Sequence, residues 1–293
     1  MDHRTELFQR HRRRLLGIAY RMLGSAADAE DVLQDAWLRW NESDTEGLRN
    51  PEAWLVTVVS RLAIDRLRAA RVERERYPGL WLPEPLVEPI DEDTPHGLLE
   101  RAEDVSVALL KVLEQLGPEE RAAFVLRQVF DMDYGELAQA LGKSEAAVRQ
   151  LVHRASERVQ ASRPRFAVSP ESHRRLVQAF ADAAGRGDID GMRALLTEQA
   201  ALVGDGGGKV PSFGFVLRGA RRLAMVYFAL NRRFDGQVDY RVVRVNGEPG
   251  LARFVAGALE SVQAFEFEGE RIAAIHVQRN PDKLARAAAV TSR

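Results

Sequence analysis

The stretch Gly204-Asp205-Gly206-Gly207-Gly208-Lys209 has the residue types of a phosphate cradle: glycines that let backbone N–H groups approach an anion, and a lysine to neutralise it. Its spacing refuses that chemistry. A P-loop sets four residues between its first glycine and the Gly-Lys pair and follows the lysine with Ser or Thr, whereas three residues separate Gly204 from Gly208 and Val210 follows Lys209. The dinucleotide fingerprint fails as well, because Lys209 stands where its third glycine belongs. A second chemistry, proton abstraction by an isomerase, needs a carboxylate base and an oxyanion donor in a dry pocket. Asp205, Tyr227, Asp239 and His276 have the right types, and nothing in their spacing singles out a pair. The chain has no cysteine, which excludes disulfides, thiolate metal sites and cysteine nucleophiles. No residue set points to a cofactor or a metal.

A third chemistry is reading nucleic acid. In DYGELAQALGKSEAAVRQLVHRASERV, a helix carrying Leu137, Ala138 and Leu141 ends at Gly142, a residue suited to the left-handed turn, and Ser144 caps the next helix. Val148, Leu151, Val152, Ala155 and Val159 form the buried stripe of that second helix. Glu145, Ala146, Arg149, Gln150, His153 and Arg154 then face outward, with donors and acceptors suited to base edges and phosphates. Two readings stand on the pattern alone: a DNA-binding helix-turn-helix, or a helical hairpin with a solvated charged face. His153 reads as a phosphate or base contact, since no second histidine lies at ligand spacing.

The elements that would position these residues follow from pattern and charge. Hydrophobic residues make up 45% and charged residues 29% of 293 residues, the composition of a globular protein with room for more than one domain. No apolar run approaches the ~20 residues of a membrane span, and the N-terminus lacks a signal-peptide core, so a cytoplasmic protein is expected. Net charge is only -1, so any nucleic-acid binding must rest on local charge. The charge alternates in blocks: Ala27 to Glu46 carries seven acids against Arg39 alone, while Arg61 to Arg76 carries six arginines against three acids. Residues from about Glu6 to Arg76 read as consecutive helices, the third opening at Pro51. YPGLWLPEPLVEPIDEDTPHG then packs five prolines and an acidic cluster into what reads as an extended linker. Helical patterning resumes from about Glu100 to Arg163, interrupted at Gly117-Pro118. The remainder opens with a helix, PESHRRLVQAFADAAGRGD, and continues as short strand-like runs, YRVVRV, ARFVAGALE, SVQAFEFE and RIAAIHVQR, which predicts an α+β domain.

The helix-turn-helix, together with GSAADAEDVLQDAWLRW and the basic SRLAIDRLRAAR, resembles a bacterial RNA polymerase sigma factor of the extracytoplasmic-function kind. The resemblance covers roughly the first 165 residues and gives each charge block a partner. It implies that Asp31, Gln34, Asp35 and Trp37 bind core polymerase, where acids meet basic clamp helices and the aromatic anchors. It implies a minus-ten surface of Arg61, Arg66, Arg68 and Arg71 with Asn41, Ser43, Asp44 and Asn50 from the preceding loop, where the promoter opens and a single strand is held. Trp54 keeps its reading as a core residue. The minus-thirty-five element would be read by Ser144, Glu145, Arg149, Gln150, His153 and Arg154. The acidic, proline-rich segment resembles the chain that sigma factors thread through the polymerase channels.

WLPEP, Trp81 to Pro85, further resembles the subgroup with a SnoaL-like, cone-shaped domain fused behind region four. Two motifs of that subgroup are present in full: Asp205, Gly206, Gly207, Gly208 and Lys209, and Asn280, Pro281, Asp282, Lys283 and Leu284. The resemblance implies that the extension governs sigma activity. The residue types suggest fixed turns with exposed backbone and a terminal charge, docking on the sigma domains or on the proline-rich segment. The expected organisation is two all-α sigma domains, 1–76 and 102–165, a linker 77–101, and an α+β domain 169–293. The implied partners are RNA polymerase core and promoter DNA, with no membrane, a monomeric free chain, and room for a small-molecule effector. Two rivals stand beside this: a ligand-sensing DNA-binding regulator that needs no polymerase, and an isomerase or cyclase fused to a DNA-binding module.

Overall fold

The computed structural model describes residues 3–43, 48, 50–90, 105–161 and 170–291. The chain divides into two compact units, Met1–Arg76 with Leu110–Arg163, and Tyr77–Leu109 with Pro164–Arg293.

The first unit is helical: α1 (His3–Leu23), α2 (Ala26–Glu42), α3 (Pro51–Glu75), the end of α4 (Val107–Leu113), α5 (Pro118–Phe124), α6 (Tyr134–Leu141) and α7 (Glu145–Ala161). Its helix starts follow local chemistry. Ser25 accepts the Asp28 N–H at 3.2 Å to cap α2, and Asn50 accepts the Ala53 N–H at 3.0 Å ahead of Pro51 to cap α3. The break at Gly117-Pro118 separates α4 from α5, and α5 then widens into one π-helical turn, Val125–Val129. Leu15, Ile18 and Met22 of α1, Leu33 and Trp40 of α2, and Leu55 and Val59 of α3 are buried together. Trp54 packs on Trp40 with ring centroids 5.5 Å apart, and α3 also packs on α5 and α6.

The second unit is built on one sheet of strands β1 (Val87–Pro89), β2 (Leu196–Asp205), β3 (Leu217–Arg218), β4 (Val238–Val245), β5 (Glu248–Val255), β6 (Ala258–Glu268) and β7 (Arg271–Gln278). Their order is β1-β4-β5-β6-β7-β2-β3, and only β2 with β7 pairs parallel. Helices α8 (Pro170–Arg186), α9 (Ile189–Leu195), α10 (Ala220–Arg233) and α11 (Pro281–Thr291) complete it. Side chains alternate along the strands, so that Leu251 joins Phe180, Leu223 and Tyr227 on one face while Ala252 joins Val87, Val107 and Leu284 on the other.

The expected α+β architecture holds, with two differences of detail. ARFVAGALE is not one strand: Ala256 and Gly257 take φ 49° and 81°, the paired left-handed residues of a tight hairpin, and split it between β5 and β6. The described part of the proline-rich segment, residues 77–90, is extended as expected, yet it is not a free tether. Its residues Val87, Glu88 and Pro89 pair with Val245, Arg244 and Val243 as an edge strand of the sheet.

Candidate functional site

Asp205 ends β2 with its side chain fully buried, and five donors converge on its carboxylate. The Tyr77 hydroxyl (2.7 Å) and the Gly207 N–H (2.9 Å) donate to Oδ1. The Leu82 N–H (2.9 Å), the Lys283 ammonium (2.8 Å) and the Gln278 amide (3.2 Å) donate to Oδ2. A buried carboxylate is tolerated only when paired and hydrogen-bonded, and here two of the donors belong to the Tyr77–Pro85 segment. Lys283 also donates to the Leu82 carbonyl at 2.7 Å and lies over the rings of Trp81 at 4.2 Å and Tyr77 at 4.9 Å. Gln278 donates to the Leu82 and Pro83 carbonyls, and Arg286 pairs with buried Glu84. The segment is therefore held as a strap, by backbone, charge and ring contacts at once. Burial, and then the bond to Asp205, push the Tyr77 hydroxyl well above the ordinary tyrosine range, so it stays a donor.

The glycines of the motif are explained by what surrounds them. A Cβ on Gly207 would lie 2.4 Å from the Asn280 amide nitrogen, and one on Gly208 would lie 2.5 Å from the Pro78 ring; both glycines have positive φ. Gly206 is closed in by the Val210 carbonyl. Asn280 in turn donates to the Tyr77 oxygen at 2.9 Å and accepts the Asp282 N–H at 3.1 Å, while Pro281 opens α11 and Leu284 sits in the core. Lys209 reaches Asp282 at 2.5 Å, an exposed pair that ties one motif to the other. The expectation of exposed turns holds for Gly207, Gly208 and Lys209, the last two exposed, where the Lys209 N–H returns to the Gly206 carbonyl at 3.0 Å. It is corrected elsewhere: Asp205 and Asn280 are buried, and Pro281 begins a helix, because proline suits the first helical position as well as a turn. Tyr77 and Gln278 went unmarked in the sequence, and only their closeness to WLPEP and NPDKL could have flagged them; Glu84 lies within WLPEP but was given no role of its own.

In the first unit α6 ends at Gly142 (φ 64°), and the Lys143 N–H returns to the Ala138 carbonyl at 3.0 Å. Ser144 accepts the Ala147 N–H at 3.3 Å and starts α7. Val148, Leu151, Val152, Ala155 and Val159 are buried as expected, and Ser144, Glu145, Arg149, Gln150, His153 and Arg154 are exposed on the outer face. Arg149 rests over the Tyr134 ring at 4.1 Å and beside Glu145 at 3.3 Å. His153 lies 3.6 Å from Glu157, and Arg154 lies 3.6 Å from Glu120.

On α2, Asp31, Gln34 and Asp35 are exposed, and Trp37 is half-buried, edge-on to Phe8 at 5.0 Å. The four arginines of α3 are not brought to one surface. Arg61 donates to the Ala140 (3.0 Å) and Gln139 (3.2 Å) carbonyls at the end of α6, and Arg68 pairs with Asp65 and Glu119. Arg66 turns to Asp28 at 2.6 Å, a charge-assisted bond that raises its pKa, and Arg71 lies 3.9 Å from Glu75. Asn50 caps α3, Ser43 donates to the Arg39 carbonyl at 2.6 Å, and the Asn41 carbonyl accepts from Arg4. Asp44 lies outside the described residues.

The isomerase candidates do not assemble. Tyr227 lines a cavity of about 220 Å3 and donates to Gln263 at 2.7 Å, whereas Asp205, Asp239 and His276 are absent from the cavity wall. Asp239 is an exposed partner of Arg241 at 2.9 Å, and buried His276 pairs with Glu266. No carboxylate stands beside Tyr227 in that wall to act as a base. Among the described residues there is no helix long and apolar enough to cross a membrane and no cluster of potential metal ligands.

Two all-helical regions joined to a helix-plus-sheet unit define a class, and family models identify both helical parts: Sigma-70 region 2 over residues 7–72, and Sigma-70, region 4 over residues 106–159. The ECF RNA polymerase sigma factor SigJ of Mycobacterium tuberculosis is 39% identical over 289 residues, covering 94% of this chain and 91% of SigJ. The probable ECF RNA polymerase sigma factor SigI of the same species is 32% identical over 285 residues, covering 97% and 95%. The crystal structure of Mycobacterium tuberculosis SigJ matches with a TM-score of 0.77 at 35% identity, covering 96% of this chain and 98% of that one. The chain belongs to the ECF RNA polymerase sigma factors. Its function is to direct RNA polymerase to promoters, and its family is one of transcription initiation factors, not enzymes.

Proposed function

We propose that the helix-plus-sheet unit regulates this sigma factor by gripping or releasing the Tyr77–Pro85 strap, with DGGGK and NPDKL as the two halves of the grip. One observation carries the reading: the buried Asp205 carboxylate binds Tyr77 and Leu82 of the strap and Lys283 of the second motif at once. A held strap leaves the acidic segment that follows it tethered at one end, and a released strap frees it to enter a channel of the polymerase. Core polymerase docks on the exposed acids of α2, Asp31 and Asp35, with Gln34 and the Trp37 anchor beside them. The outer face of α7 reads the minus-thirty-five element as duplex. Arg61, Arg66, Arg68 and Arg71, with Asn41, Ser43, Asp44 and Asn50, serve the minus-ten strand, which requires Arg61 and Arg68 to leave their present carbonyl and carboxylate partners. The cytoplasm, where polymerase works, is the proposed site of action.

The test is transcription from a cognate promoter with purified core polymerase, using Asp205→Asn, Lys283→Met and, as an exposed control outside the grip, Arg175→Met. The two grip variants change transcript yield or core affinity several-fold while Arg175→Met stays near the parent. Grip variants that remain folded by circular dichroism and transcribe like the parent would overturn the regulatory reading. They would leave the family assignment intact.

A further inference from the structure

The cavity beside Tyr227 has an apolar wall of Leu202, Phe213, Val226, Leu230 and Val277, interrupted by the guanidinium groups of Arg253 and Arg279. Arg253 is 3% exposed, and burial works against its charge; Glu260 outweighs that burial and holds the group cationic. The same Glu260 serves both arginines, meeting the Nε of Arg253 at 2.7 Å through Oε2 and the Nε of Arg279 at 2.6 Å through Oε1. Glu260 is itself mostly buried, and the two arginines overcome that burial to keep its carboxyl below the ordinary range. Two cations thus share one carboxylate, and the cavity wall supplies no other acid. Glu260 matches the interior Arg253, and Arg279, whose side chain is 23% exposed, shares the same carboxylate, so the cluster carries a net positive charge at the rim of an apolar space.

We infer that this cavity is a binding site for a small organic monocarboxylate with an apolar body, its carboxylate completing the Arg253–Glu260–Arg279 cluster. At about 220 Å3 the cavity lies below the roughly 300–1,000 Å3 of pockets for drug-sized ligands, which restricts the ligand to a short aliphatic or single-ring acid. The site also adjoins the strap grip. Gly204 and Pro211, which flank the glycine motif, line it; the Arg279 side chain donates to the Pro211 carbonyl, and the Arg279 N–H donates to the Asp205 carbonyl at 2.7 Å. A carboxylate that draws on Arg279 therefore acts on a residue bonded to Asp205 and followed directly by Asn280. This coupling, unlike the binding itself, rests on the regulatory reading above.

Isothermal titration of the full chain with benzoate, phenylacetate, hexanoate and octanoate, each beside its neutral amide, tests the binding. At least one acid binds, its amide binds at least tenfold more weakly, and Arg253→Met loses at least tenfold in affinity while Arg253→Lys recovers part of it. Absence of binding by all four acids, or equal binding of acid and amide to the parent chain, overturns the proposal without recourse to any variant. Hydrogen exchange at the Leu82 amide, with and without saturating acid, tests the coupling. Unchanged exchange in the presence of demonstrated binding removes the coupling and leaves the transcription test of the grip variants to decide regulation separately.

Discussion

Gly208 shows how one hydrogen atom in place of a methyl decides a contact. Its φ of 72° disfavours any other residue, and an added Cβ meets the Pro78 ring, which is tied to the backbone and cannot swing aside. Gly208→Ala is expected to cost about 1–3 kcal/mol and to loosen the strap before the sheet. Urea unfolding gives the first quantity, and faster hydrogen exchange at Leu82 than in the sheet gives the second. Equal protection of Leu82 in parent and variant would count against the strap as the weak point. At the same scale, Lys209 and Lys283 differ in kind although both are motif lysines. Lys209 makes an exposed pair with Asp282, worth little, whereas Lys283 is 14% exposed and neutralises a fully buried acid.

At the scale of elements, α7 is the part whose work is most nearly set by its own residues. Its buried stripe and outer face follow the helical period read from the sequence, and Gly142 and Ser144 fix the turn that presents it. Removing the Arg149 side chain, which is proposed to read a base, as Arg149→Ala is expected to cost about 1–3 kcal/mol in promoter binding and to relax specificity at one position. Competition between promoter variants in a purified transcription assay measures this, and unchanged promoter choice would remove Arg149 from the reading face. Other elements were less legible. The strand β2, LTEQAALVGD, begins directly after α9 without a turn residue and mixes polar and apolar positions, so no strict alternation marks it. Arg61 carried the signal of a nucleic-acid contact, but its partners are carbonyls 78 and 79 positions away, and backbone acceptors leave no trace in residue types. The motif Asp205 was legible as unusual while its burial was not. Its partners Tyr77, Leu82, Gln278 and Lys283 lie 73 to 128 positions off, and only the fold gathers them.

At the scale of the molecule, the second unit joins a short early segment to a long late one, and its stability depends on pH through groups inside that assembly. Burial, and then nearby Glu266, raise the Glu248 carboxyl to about 7. The folded unit therefore holds this proton where the unfolded chain has released it, so stability falls as pH rises from the ordinary carboxyl value of 4.5 to about 7. Glu248→Gln should flatten the loss, on the order of 2 kcal/mol after discounting for partial exposure. Melting temperatures of parent and variant at pH 5 and pH 8 provide the comparison, and parallel pH profiles would show that Glu248 is not responsible.

The Lys283 ammonium meets the Leu82 carbonyl across 201 positions of sequence, and that separation is also an interval of time. At ~5–20 residues per second, the ribosome makes Lys283 roughly 10–40 s after Leu82. Both helical regions have been synthesised before the lysine exists. Every nascent chain thus passes through a period in which its helical regions are made and its strap has nothing to close on, so the restraint proposed for the strap begins only as synthesis nears the second motif.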